Sequence, residues 1–320
     1  MNLLKIAVCL FLLSPALYAA PFECPQKPAP GAAAAEQAED CPWAGVARLL
    51  REKADKNEQL GPVFTAHIPA LLAQLDRDRG NSAALKLWGE SINYDELAGG
   101  VIVHPGILRF IASRAGTPGP RDRLMHAGLE HTYGYLFSLL PTNFGFKRAR
   151  WVRPDIESGL NLQRGSAGPS PSEGTLFSNI TCLAGNIALR DDAAASALLD
   201  AAAAHCAAPL KSFSVRKTRL SETVELAGGR RVVLRTDFVP FTKPAGGNAY
   251  LLVYSVYDSA PQQAYLISAF PVASGFVQNA LKPAGLGPNK PVQTRYNAFV
   301  EGVTGAGKLF GKREVSGRDK

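Results

Sequence analysis

His131 and Lys147 are the two residues of this chain best suited to acid–base chemistry on an anionic substrate. His131 lies in the densest polar-aromatic stretch of the sequence, HAGLEHTYGYLFSLLPTNFGFKRARWV. An imidazole gains and loses a proton near neutrality, so His131 can serve as a general base. Lys147 opens the run Lys147-Arg148-Ala149-Arg150-Trp151, in which cations can meet phosphate and a ring can stack a base. On this reading Lys147 and Arg148 stabilise negative charge, while Arg148, Arg150 and Trp151 bind RNA or another polyanion. Lys147 donates a proton only if burial or Arg148 brings its pKa well below the ordinary value of about 10.4.

Two other readings compete. His126, Glu130 and His131 could hold a metal on a helix, in the manner of H-x-x-E-H zinc enzymes. One residue too many separates His126 from Glu130, which turns the ligands about 100° apart on a helix with 3.6 residues per turn. No metal or cofactor is therefore expected. In the plainer reading His131 is a hydrogen-bonded structural histidine and Lys147, Arg148, Arg150 and Arg153 are a solvated basic edge. Tyr133, Tyr135 and Phe137 then form one face of a strand, and the chain is a non-enzymatic binding module. His67, His104 and His205 read as structural or solvent-facing. No G-x-S-x-G elbow, phosphate-binding glycine loop, H-E-x-x-H helix or EF-hand loop occurs.

Gly128-Leu129-Glu130-His131 followed by Gly145-Phe146-Lys147 resembles the G-F-E-H and G-F-H segments of EndoU-type endoribonucleases. The resemblance implies RNA cleavage without a hydrolytic metal: one group takes the ribose 2′-OH proton and another protonates the leaving 5′-oxygen. The product is a 2′,3′-cyclic phosphate. It also makes Leu266-Ile267-Ser268-Ala269-Phe270 similar to the family's last strand, with Ser268 as a ribose or phosphate contact. The chain departs from the pattern where Lys147 replaces the second histidine and Phe270 the tyrosine.

These residues need a scaffold, and its elements are legible. Residues 1–20, with Lys5, an apolar run from Ile6 to Leu13 and small residues at Ala16–Ala20, read as a signal peptide. Export to the periplasm or medium follows. No later stretch is apolar for long enough to span a bilayer. Loss of Cys9 with the signal leaves Cys24, Cys41, Cys182 and Cys206. Short loops are the cheapest to close, which favours Cys24–Cys41 and Cys182–Cys206. Residues 21–42 form a Pro- and Ala-rich arm, 43–122 a helical part, 123–302 an α+β part that carries the site, and 303–320 a flexible basic tail.

Within the α+β part, Asp191 or Asp192 caps an Ala-rich helix running to about Ala204. A hairpin turns at Ala227-Gly228-Gly229, and Tyr250–Tyr257 and Ala264–Val272 add two strands. The expected class is α+β: a helical N-terminal part followed by an antiparallel sheet of at least four strands. Hydrophobic content of 46% and charged content of 19% exclude wholesale disorder, and the net charge of +8 suits an anionic partner.

Overall fold

Periodicity in the first third of the chain produces helices, as read. The computed structural model describes residues 43–142, 145–152, 155–244, 246–282, 296–300 and 313–317. The signal segment, the arm and the Cys24–Cys41 pairing lie outside them. In chain order come α1 (Trp43–Asp55), α2 (Gly61–His67), α3 (Pro69–Asp78), α4 (Ser82–Lys86), β1 (Glu90–Ile92) and α5 (Pro105–Ala115). Proline opens α3 and α5, where a missing N–H costs nothing, and Gly116 ends α5 with φ +75°. Then follow β2 (Leu124–His126), α6 (Ala127–Thr132), β3 (Pro141–Thr142), β4 (Gly145–Phe146), α7 (Ala149–Val152) and α8 (Asp155–Gly159).

The second half holds α9 (Leu176–Ala188), α10 (Ala193–Ala202), β5 (Thr218–Glu225), β6 (Arg231–Thr242), β7 (Asn248–Asp258) and β8 (Gln263–Ala273). Last come α11 (Ser274–Ala280), β9 (Ala298–Phe299) and β10 (Arg313–Ser316). Asp192 caps α10 as expected, accepting the Ala195 N–H at 2.9 Å. The hairpin turns at Ala227–Gly229 as expected, between β5 and β6. The class is α+β.

The main sheet is antiparallel in the order β10-β5-β6-β7-β8. β10 corrects the expectation of a flexible tail throughout 303–320: Arg313–Ser316 pair with Glu222–Arg219 and complete the edge. One face of the sheet (Leu251, Val253, Leu266, Ala269) packs with the helical core. The other (Leu220, Leu234, Phe238, Leu252, Tyr254) packs with Val277 and Ala280 of α11 and with Ala298. A bidentate pair, half-buried Arg219 with buried Asp237 at 2.8 and 3.0 Å, clamps β5 to β6, and Arg219 also bonds the Ala188 carbonyl at the end of α9. A second sheet, β2-β1-β9, flanks the first. No helix among the described residues is long and apolar enough to cross a membrane.

Cys182 on α9 is bonded to Cys206, as expected, across a separation of 24 residues. The bridge holds the small-residue helix α10 against α9, where Leu199 packs on Gly185. Replacing both cysteines by serine should cost about 3 kcal/mol by releasing that loop in the unfolded chain. Urea denaturation checks this, and a loss under 1 kcal/mol would show the loop to be restrained without the bridge.

Candidate functional site

The segment that carries His131 is helical, α6. His126 is the reason. Its Nδ1 accepts the Leu129 N–H at 3.2 Å and so caps α6, and its Nε2 then donates to the Leu85 carbonyl at 2.9 Å. Both ring nitrogens are thus committed, and burial lowers the His126 pKa and keeps the ring neutral. The geometry of the three-residue metal reading is not available to it. α6 sits hard against its neighbours: a Cβ on Gly128 would come within 2.6 Å of Trp88 and Phe177. Tyr133, Tyr135 and Phe137 do not alternate along a strand either. They occupy the end of α6 and a following 3-10 turn, Gly134–Phe137, and all three are buried.

Tyr135 is the hub of the site. The His131 ring stacks on it at 4.6 Å between centroids. Lys147 Nζ lies 5.3 Å and the Arg150 guanidinium 5.1 Å from the same ring, within reach of its negative face. Its hydroxyl accepts from Asn297 Nδ2 at 3.0 Å. Arg150 also covers Phe270 of β8 at 4.4 Å, and Lys147 pairs with Asp95 at 2.9 Å. Glu130 stands beside His131 on α6, fully buried, and accepts from the Ser91 hydroxyl of β1.

Burial sets the protonation states. His131 is 1% exposed, and neither ring nitrogen completes a hydrogen bond among the described residues. Desolvation, helped by Arg150 and Lys147, holds its pKa well below the ordinary 6.5; the nearby Ile267 backbone favours the proton too weakly to offset this. Glu130 is pushed up to about 7 by burial, against the pull of Ser91, Lys147 and Arg150. Burial, then Arg150, brings Lys147 down to about 8, opposed by Asp95. Burial does what the sequence required of Lys147, with Arg150 in the place foreseen for Arg148. At neutral pH the cluster holds a neutral imidazole, a mostly protonated lysine and an arginine.

The other expected site residues are placed differently. Arg148 and Trp151, expected on a binding surface, face inward. Arg148 is fully buried, bonds the Ser138 carbonyl at 2.8 Å and lies 3.9 Å over the Phe146 ring. Trp151 donates its indole N–H to the His131 carbonyl at 3.0 Å and so holds the end of α6. The run is therefore no solvated edge; Arg153 lies outside the described residues. Ser268 is buried on β8 opposite Tyr254, its hydroxyl without a hydrogen bond among the described residues. Its neighbours reach the cluster: the Ile267 backbone beside His131 and the Phe270 ring under Arg150.

Tyr135, Asp95 and Asn297 are the members that sequence reading did not assign to this site, and it gives Glu130 a part only as a metal ligand. Tyr135 follows His131 by one helical turn, a signal visible once α6 is taken as helical. Asp95 and Asn297 carry none, since only folding brings those loops to Tyr135. No protein-family model, curated protein or solved structure matches the chain.

Proposed function

We propose that the chain is an exported, metal-independent enzyme that cleaves RNA by acid–base chemistry. The observation that carries the reading is the grouping of neutral His131 with Lys147 and Arg150 around Tyr135. His131 takes the ribose 2′-OH proton, the 2′-oxygen attacks its own phosphate, and the bond to the 5′-oxygen breaks as Lys147 gives that oxygen a proton. Arg150 stabilises the charge on the phosphorane, and Ser268 contacts the ribose or phosphate. Half-buried Asp95, Arg150, Phe270 and Asn297 form the outer edge through which substrate enters. His131 lies one ring deeper, and Tyr135 must turn aside to uncover it. The Cys182–Cys206 bridge and the lack of a membrane-spanning helix among the described residues support an exported protein, periplasmic or secreted.

The burial of His131 favours a second reading, a binding module in which Lys147 and Arg150 hold a polyanion and His131 only packs. The product separates the two. Incubated with labelled single-stranded RNA and EDTA, the purified protein should release fragments ending in 2′,3′-cyclic phosphate. RNA bound but left whole gives the binding module precedence.

The pH dependence follows from the two groups that move the proton, His131 and Lys147. His131 is already neutral below its ordinary titration range, so the rate should be full by about pH 6.5. Lys147 must carry its proton, so the rate should fall as pH rises through about 8. A profile that climbs to pH 9 would remove Lys147 as the acid.

A further inference from the structure

A cavity lies away from Tyr135, and nothing in the cleavage reading uses it. It holds about 510 Å³ between the β2-β1-β9 sheet and the adjoining edge of the main sheet. That is the size of a small-molecule site. Trp88, Met125, Val256 and Ile267 line its floor and are all buried, and the rings of Tyr265 and Phe299 flank it. At the mouth stand two ions of each sign. Arg230 and Asp258 cancel one another, with Arg230 Nε 3.0 Å from Asp258 Oδ1. Glu90 and Arg121 are exposed, and neither side chain has a partner among the described residues. Both belong to the small sheet: Glu90 opposite His126, and Arg121 bridged to Leu124.

An apolar, aromatic-sided chamber with one unmatched cation and one unmatched anion at its entrance complements a small zwitterion. We infer that this cavity binds an aromatic α-amino acid, with its ring on the Trp88–Met125–Ile267 floor, its carboxylate on Arg121 and its ammonium on Glu90. A simple carboxylic acid would face Glu90 uncompensated, and a simple amine would face Arg121.

Calorimetric titration of the whole protein with L-phenylalanine tests the inference, beside N-acetyl-L-phenylalanine, which lacks the ammonium, and phenethylamine, which lacks the carboxylate. Phenylalanine should bind, and each analogue at least about tenfold more weakly, since each loses one charge-assisted contact. Arg121→Ala should weaken phenylalanine about tenfold while phenethylamine, relieved of the facing cation, binds more tightly than to the wild type; Glu90→Gln should likewise weaken phenylalanine and strengthen N-acetylphenylalanine. Gly119→Trp blocks the mouth from an exposed position whose new Cβ meets only Arg109, at 3.5 Å, and should abolish binding in a folded protein. No heat with phenylalanine, equal affinity for all three compounds, or undiminished binding by Gly119→Trp would each overturn the assignment.

Discussion

His131→Ala should cut single-stranded RNA at least about a hundredfold more slowly than the wild type, the usual worth of a positioned general base. Its affinity for RNA should stay nearly unchanged, because the phosphate meets Lys147 and Arg150 rather than the imidazole. That affinity should also fall steeply with salt, as each neutralised phosphate releases counterions. Folding of the variant is checked by its denaturation midpoint. His131 makes no side-chain hydrogen bond among the described residues, so its loss removes packing on Tyr135 and little else. Lys147→Ala should lower cleavage and affinity together, which the histidine variant does not do. Cleavage by His131→Ala at the wild-type rate would withdraw the catalytic assignment and leave the binding module.

Asp78→Ala should be the most destabilising single change in the helical half, by about 4 kcal/mol at pH 4, with three buried hydroxyls losing their shared acceptor. Asp78 is fully buried at the end of α3 and accepts from Tyr133 after α6, and from Thr175 and Ser178 at the start of α9. It ties together the elements that hold the site. Burial raises its pKa from 3.8 to about 6. A raised pKa in the folded state stabilises fully below the unfolded value and is lost as pH rises through the folded one. At 1.36 kcal/mol per unit, the wild type should lose about 2 kcal/mol from this group between pH 4 and pH 6, and the variant should not. The gap between the two proteins should therefore shrink to about 1.6 kcal/mol by pH 7. Urea midpoints across that range, at an unchanged slope, measure it. A gap that stays constant with pH would mean that Asp78 does not titrate in the native protein.

Local rules were enough for much of this fold. Alternation around the Ala227–Gly229 turn gave the hairpin, Asp192 before an alanine run gave the cap of α10, and the short Cys182–Cys206 loop gave the bridge. Each depends on residues close in sequence. Local rules failed at α6. The polar-aromatic run reads equally as strand or helix, and the matter is settled by His126 reaching the Leu85 carbonyl and by Gly128 fitting between Trp88 and Phe177. The tail was misread for a similar reason, because Arg313–Ser316 are strand only where β5 offers an edge.

The sequence by itself determined which side chains could do chemistry, the α+β class and the position of the basic run. Tertiary structure alone decided that Arg148 and Trp151 turn inward while Lys147 and Arg150 meet His131 at Tyr135. It also set the proton on each group. Residue type fixes an ordinary pKa, but desolvation and the distance to other charges move it, and both arise only when Asp95, Asn297 and Phe270 arrive from remote parts of the chain.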